Sequence, residues 1–337
     1  MTNPLRSFRS SSVVLFALLA SLFVFVACQK QRTPSPTDEL RWLRIVGPLE
    51  SKRDWQGLAQ TSVERVKKYP DDQMAWSELG EAYLGLERYD DAVKAEDRAI
   101  RMDPHDGHSW LTIADAYNDL GQRNKAVEAY KLAVTSYRRA TELRPNDGDA
   151  WLPLGDAYFG LHQPENEVEA YGRATQLKPD DEDAWSRLGA AYSKLGKHDK
   201  EADAYRQAIR LKPDDEHVWL ALAFCYGDLR QSDNAIAAYK KAIQLRPGDQ
   251  NAWLDLGLAY GTMHQYSLAA EALKRTTGLD PKDADAWRAL GLTDCLNGDR
   301  KSTIQVYEEL RKLDSKSASD LVKSCPQYLH LPARSAP

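Results

Sequence analysis

The chain has 337 residues, with 45 lysines and arginines against 50 aspartates and glutamates, for a net charge of −5. This acidic balance, with no stripe of basic residues, excludes nucleic acid as the main partner. At 42% hydrophobic and 28% charged, the composition is that of a folded chain rather than a disordered one.

Taken in chain order, the first elements concern address. Residues 1–10 carry Arg6 and Arg9 and no acid, and residues 13–27 form an uncharged apolar run. A basic start followed by a short apolar stretch predicts a bacterial export signal over residues 1–27. The run is shorter than the roughly 20 residues a membrane span needs. Its ending, Val26-Ala27-Cys28, resembles the lipobox of bacterial lipoproteins, which implies cleavage behind Ala27 and a lipid on Cys28. Phe25 stands where that motif carries leucine. The alternatives are ordinary cleavage after Ala27, which wants a small residue at Phe25, and an uncleaved short anchor. Gln29 after the cysteine permits, by resemblance to Gram-negative sorting, transfer to the outer membrane. Residues 28–38, with Thr33-Pro-Ser-Pro-Thr37, form a flexible tether. Losing residues 1–27 removes two arginines and no acid, so the net charge becomes −7, which disfavours tight binding to anionic lipid faces.

From here the chain repeats. Trp42, Trp76, Trp110, Trp151, Trp185, Trp219, Trp253 and Trp287 are 34 residues apart, except for one step of 41. Tyrosines follow by seven from Tyr83 to Tyr260, prolines recur in the same register from Pro70 to Pro281, and an aspartate sits two after each proline. A fixed period of this size means stacked copies of one supersecondary unit, each contacting mainly its neighbours. In residues 184–213, Trp185, Leu188, Tyr192 and Leu195 fall at helical spacing and form one apolar stripe. Gly196 supplies a left-handed cap, and Asp199 is the expected start of a second helix with the stripe Ala202, Tyr205, Ala208, Ile209 and Leu211. Small Ala204 and Ala208 allow close approach of two helix axes. Pro213 ends the second helix and Asp215 caps the next first helix. Burying one Trp or Tyr contributes about 2–3 kcal/mol at most, so an isolated repeat is expected to be unfolded.

The pattern Trp76-Leu79-Gly80-Tyr83-Ala92-Ala99-Pro104, and again Trp253-Leu256-Gly257-Tyr260-Ala269-Pro281, resembles the tetratricopeptide repeat. The resemblance covers residues 39–314 and implies an all-α fold: a right-handed superhelical solenoid of helix-turn-helix hairpins. Residues 39–72 are a degenerate N-terminal repeat in which Gly47-Pro48 is expected to interrupt the first helix. Residues 73–314 hold seven repeats, and residues 315–337 a cap helix over 315–325 with a tail. Several residues depart from the family pattern. Glu96 and Leu273 replace the second-helix aromatic, Glu167 and Glu201 replace its first alanine, and Asp294 stands where the last repeat's tyrosine belongs. Tyr130-Lys-Leu-Ala133 recurs seven residues later as Tyr137-Arg-Arg-Ala140. Seven inserted residues therefore lengthen that second helix by two turns, about 10 Å, and keep its apolar face in phase.

In the resembled family the first helix of each hairpin lines a concave binding face. Carried over by register, that face includes Glu81, Asp115, Asn118, Asp119, Leu152, Asp156, Phe159, Ser186, Leu220, Phe224, Asp228, Leu254 and Leu258. It lacks the lysine and asparagine set with which tetratricopeptide co-chaperones hold C-terminal carboxylates. An acidic, apolar groove implies a protein or peptide partner with apolar and basic residues.

No phosphate-cradling glycine loop, His-Glu-x-x-His, Gly-x-Ser-x-Gly or Cys-x-x-Cys occurs. No enzyme activity, cofactor, metal or small-molecule substrate is therefore expected. His105 and His108 fall at a repeat junction and are expected to be solvated turn residues, and most acids to be caps or exposed helix faces. Cys225 is expected to be a small buried hydrophobe, and Cys295 and Cys325 to be a pair that export would permit to bridge. Together these residues imply a lipid-anchored scaffold for protein partners in bacterial envelope assembly or secretion, on the periplasmic or outer-membrane side. The alternatives are an accessory subunit of a cell-wall or glycosyl-transfer enzyme, and a cytoplasmic interaction protein with an uncleaved anchor.

Overall fold

A computed structural model describes residues 33–329. Among these residues there are seventeen α-helices and no strand, in agreement with the all-α hairpin fold expected from the period. The chain divides into two compact units, residues 1–170 and 171–337.

The recurring Trp, Pro and Asp each have a visible task at the junctions. Each aspartate two after a proline is the N-cap of a first helix, its carboxylate accepting from a backbone N–H of the first turn, as at Asp72, Asp106, Asp147, Asp181, Asp215, Asp249 and Asp283. Each tryptophan then reaches back. Its indole Nε1 donates to the carbonyl of the proline six residues earlier, at 2.9–3.2 Å, in all seven hairpins from Trp76 to Trp287. Proline ends one helix, aspartate starts the next, and tryptophan latches the corner between them. The first tryptophan, Trp42, has no such latch, and its Nε1 is buried without a partner.

Second helices start differently. The helix His198–Leu211 has Lys197 as N-cap and no side-chain cap bond, so Asp199 lies inside its first turn rather than starting it. The hairpin bends are made by left-handed residues at one register: Glu87, Gly121, His162, Gly196, Arg230, His264 and Gly298. Only three are glycines, although a left-handed backbone costs a residue with a Cβ about 1–2 kcal/mol. Arg230→Gly is therefore expected to stabilise the chain by roughly 0.5–1 kcal/mol after the glycine's own entropy cost. The check is a urea midpoint that rises with an unchanged slope. A fall would show that the Arg230 side chain makes a contribution larger than its strain.

In unit 1, hairpins pair Pro36–Ser51 with Trp55–Lys68, Gln73–Gly85 with Tyr89–Met102, and Gly107–Asp119 with Arg123–Leu143. Their core runs from Trp42, Val46 and Leu58 through Leu79 and Ala82 to Ile113, Ala126 and Tyr130. The helix Pro36–Ser51 corrects two sequence expectations. It begins inside the tether assigned to residues 28–38, capped by Ser35. It also runs unbroken through Gly47-Pro48, with Pro48 inside it. Proline fixes a helical φ and removes only one hydrogen bond, a cost that a helix at the end of the repeats can bear. The inserted heptad appears as a second helix of 21 residues, Arg123–Leu143, where the others have 14. Both copies of the repeated tyrosine face inward: Tyr130 lies against Gly160 and Tyr137 against Gly107.

In unit 2, Glu182–Lys194 pairs with His198–Leu211, Glu216–Asp228 with Ser232–Leu245, Gln250–Thr262 with Tyr266–Leu279, and Ala284–Leu296 with Arg300–Leu313. A last helix, Ser315–Ser324, covers the end through Ala318 and Leu321, which pack on Tyr307 and Leu310. Glycine at the eighth family position receives the facing second-helix side chain: a Cβ on Gly189 would stand 2.7 Å from the Tyr205 ring, and one on Gly257 2.7 Å from Leu273. Asp294, in place of a tyrosine, is buried and accepts from the Ser302 hydroxyl at 2.5 Å. Burial pushes its carboxyl above the usual range.

Candidate functional site

The residues expected to line a binding face all lie on first helices. In unit 1 these are Glu81, Asp115, Asn118, Asp119, Leu152, Asp156 and Phe159. In unit 2 they are Ser186, Leu220, Phe224, Asp228, Leu254 and Leu258. Their surroundings differ. Phe159 is 52% exposed and Phe224 51%, and Leu258 is also exposed. By contrast, Leu220 packs on the Ile236–Tyr239 core and Leu254 on Leu273 and Leu290, so these two are half-buried. Leu152 and Ser186 are also half-buried. Phe224 is held edge-on against Tyr239, with ring centroids 5.7 Å apart, a geometry that fixes an exposed ring without covering it.

The acids are likewise of two kinds. Asn118, Asp119 and Asp228 are exposed. Asp115 is half-buried and accepts the Tyr130 hydroxyl at 2.5 Å. Glu81 faces the ring of His108 on the next first helix, Oε2 to Nε2 at 3.5 Å. His108 lies in the first turn of the Gly107–Asp119 helix and keeps 48% of its side chain exposed, as expected of a junction residue, but it has Glu81 as a partner. Burial opposes its charged form, but the hydrogen bond to Glu81 and the nearby Glu96 outweigh this and raise its pKa to about 9. The His108 partner holds Glu81 below the usual carboxylate range. Burial, and next a hydrogen bond shared with Glu50, push Glu78 up. The exposed His105 ring meets Arg139 at 3.1 Å, and its backbone N–H donates to Asp103.

Unit 1 therefore gathers Glu78, Glu81, Glu96 and the imidazolium of His108 around adjoining hairpins. Glu96 is 0% exposed and neither carboxyl oxygen has a hydrogen-bond partner. A few acids neither cap a helix nor face water: Glu96, Glu167, Glu201 and Asp294 are buried.

Cys28 and the segment assigned to export lie outside the described residues. Among the described residues no helix is long and apolar enough to cross a membrane. Cys295 and Cys325 are joined by a disulfide, with Cα atoms 6.2 Å apart, tying the last first helix to the end of the Ser315–Ser324 helix. Cys225 is buried, but its neighbours are more than hydrophobic: one donor atom each of His198, Glu201 and Cys225 lies within 4.8 Å of the others. Burial, then the Glu201 charge, push the Cys225 thiol up to about 12, so it is no nucleophile at neutral pH. The sequence carried a trace of this grouping in His198-x-x-Glu201 and Cys225-x-x-Asp228, each pair one helical turn apart.

Three family models match the chain. That of the Cilia and flagella-associated protein 70 C-terminal domain covers residues 181–314. Two tetratricopeptide repeat models cover residues 58–107, and residues 107–138 and 148–181. No curated protein matches the chain in sequence. Among solved structures, it is similar to YrrB, a TPR protein with an unusual peptide-binding site, at 18% identity and a TM-score of 0.50, over 56% of this chain and 97% of that one. It is similar to the C-terminal part of a TPR repeat-containing protein from Cytophaga hutchinsonii at 14% identity and a TM-score of 0.57, over 73% and 99%. It also resembles a chain of the APC/C hetero-tetramer Cut9-Hcn1 at 21% identity and a TM-score of 0.57, over 73% of this chain but 47% of that one. At such identities the likeness is one of fold. Residues 58–138 and 148–181 thus match tetratricopeptide repeats, and helical hairpins of the same kind continue to Leu313, a fold suited to a protein or peptide partner.

Proposed function

We propose that this chain is a scaffold rather than an enzyme, exported and held by a lipid on Cys28, which recruits protein partners during assembly or secretion at a bacterial envelope. One observation carries the binding part of this reading. Each unit presents an exposed phenylalanine on a first helix, Phe159 in one and Phe224 in the other, with acids on first helices of the same unit, Asp119 and Asp156 in the first and Asp228 in the second. Exposed aromatics held in place are the side chains that serve best as interface anchors. The acids select lysine and arginine in the partner and speed its encounter. The disulfide between Cys295 and Cys325 supports export, because such bonds persist in oxidising compartments and are rare in the cytosol. The basic-then-apolar start supports the same address.

Crosslinking in cells followed by mass spectrometry identifies the partner, and affinity for that partner is the readout. Phe159→Ala and Phe224→Ala are each expected to weaken it about tenfold, or about 1.4 kcal/mol, and added salt to weaken it further. Unchanged affinity in the double variant would move the site off these faces. Cys28→Ser is expected to abolish palmitate labelling of the chain in cells; persistent labelling would remove the lipid anchor from the reading.

A further inference from the structure

Two residues break the repeat at facing places in unit 2. Sixteen residues after the tryptophan four hairpins carry a small residue, Ala92, Ala126, Ala235 and Ala269, but this hairpin carries Glu201, as the hairpin before it carries Glu167. Six after the tryptophan they carry Ala82, Ala116, Ala157, Ala191 and Ala259, but the next hairpin carries Cys225. The second helix of one hairpin packs on the first helix of the next, and here that packing brings a carboxylate and a thiol together. Both are buried, Glu201 at 3% exposure and Cys225 at 0%. One turn away on each helix stands a further donor. His198 is three residues before Glu201, and its Nδ1 lies 2.9 Å from Glu201 Oε2. Asp228 is three residues after Cys225, and its Oδ2 lies 3.8 Å from the same Nδ1. Residues at this spacing share a helix face.

We propose that His198, Glu201, Cys225 and Asp228 are a zinc site that clamps the 182–211 hairpin to the 216–245 hairpin. The donor set suits this ion. Thiolate, imidazole and carboxylate oxygen are its usual ligands, at about 2.3, 2.0–2.1 and 2.0–2.2 Å, which places donors around a tetrahedral centre roughly 3–4 Å from one another. The His198, Glu201 and Cys225 donors already lie within 4.8 Å of one another. A hard oxygen-seeking ion such as calcium or magnesium would not use the thiol. The charge also fits. Of the four donors grouped here only His198 can carry positive charge, and a divalent ion balances the carboxylates and the thiolate. His198 and Asp228 are the exposed members, with side chains 31% and 60% accessible, and they open the route by which an ion enters. On binding, the zinc–sulfur bond replaces the Sγ–H bond, the proton leaves to solvent, and the contact from Cys225 Sγ to the His198 carbonyl at 3.1 Å is given up. Such a clamp fixes Phe224, the neighbour of Cys225, on its face.

The test is titration of the metal-stripped full chain, in detergent and without reductant, first with cobalt(II) and then with zinc. One equivalent of cobalt is expected to give a thiolate-to-cobalt charge-transfer absorption that zinc abolishes, and zinc is expected to raise the melting temperature. Cys225→Ala and Glu201→Ala install the residues that other hairpins carry at these places, so they should keep the fold, which circular dichroism checks. Cys225→Ala is expected to abolish the absorption. Cys225→Ala and His198→Ala are each expected to weaken zinc by more than about 100-fold, beyond the 10–100-fold that loss of an outer partner costs. An absorption that survives Cys225→Ala, no thiolate band at all, or zinc affinity unchanged by these variants overturns the site.

Discussion

Leucine in place of Glu96 is expected to stabilise the protein by about 2–4 kcal/mol, from relief of an orphaned carboxyl and gain of apolar burial. Glu96 occupies the second-helix seat that holds Tyr130, Tyr205 and Tyr239 in other hairpins, and its side chain lies across Gly80 as Tyr205 lies across Gly189. Its carboxyl oxygens have no hydrogen-bond partner. Of the hydroxyls beside it, Ser109 Oγ is occupied: it donates to Asp106 Oδ2 at 2.7 Å and lies 3.3 Å from Ser77 Oγ. Leucine leaves that small network intact. Its fit has a precedent in Leu273, which fills the same seat over Gly257 at 0% exposure. Urea and thermal melts provide the measurement. A lower midpoint for Glu96→Leu would mean that the carboxyl has a partner whose loss outweighs the gain.

The same residue sets a pH dependence. Burial raises the Glu96 carboxyl from 4.5 in the unfolded chain to about 8 in the folded one. Between those values the folded protein binds a proton that the unfolded chain releases, so stability is fully present below about pH 4.5 and is lost as pH climbs through 8. His108 adds a second loss in the same direction, from 6.5 up to about 9, because Glu81 and Glu96 outweigh the effect of its burial. Glu96→Gln and Glu96→Leu should both make the decline of melting temperature between pH 5 and 6.5 shallower than in the parent protein, the remaining slope coming from other raised groups such as Glu78. Equal slopes in all three proteins would place the titration elsewhere.

The repeat made most of the fold legible, because Trp, Pro and Asp each perform a junction task that depends on local sequence. Asp215 caps because it precedes its helix by one residue, and Trp219 latches because it is six residues from Pro213. The bends were less legible. Gly196 announced a left-handed residue, but Arg230 and His264 adopt the same conformation without any compositional sign. Pro48 misled for the opposite reason, since a proline's local cost is visible in sequence while the packing of Trp42 and Val46 that offsets it is not. The binding-face register placed every residue on a first helix, yet helical register does not say which positions a neighbouring hairpin covers. Phe159 and Phe224 stay open, whereas Leu220 and Leu254 are drawn onto the core. The grouping of Cys225 with His198 and Glu201 was least legible, because it forms between two hairpins and its members are 27 residues apart.

Asp72→Ala is expected to cost about 3–5 kcal/mol, the usual loss when one partner of a buried ion pair is removed, and to release the first hairpin before the rest. Asp72 performs two tasks. It caps the Gln73–Gly85 helix through the Ala75 N–H at 3.3 Å, and its Oδ2 meets Arg65 Nε at 2.5 Å, with both side chains buried at 7% and 6% exposure. Arg65 in turn stacks on the Trp42 ring at 4.6 Å and donates to the Asp38 carbonyl at 3.0 Å, so it joins both helices of the first hairpin to the third. Alanine at 72 leaves the guanidinium buried without its counter-charge, and a cap worth about 1 kcal/mol is lost as well. The hairpin depends on this pair because, among the described residues, it packs against one neighbouring hairpin, and stacked repeats open from where their contacts are fewest. Hydrogen exchange should therefore show faster opening of residues 36–68 in Asp72→Ala, with residues 216–279 unchanged. Arg65→Met combined with Asp72→Ala removes both charges and should recover all but about 1–2 kcal/mol, the cap included. A uniform acceleration across the chain, or a double variant no better than the single, would show that the capping bond and not the buried charge pair holds the hairpin in place.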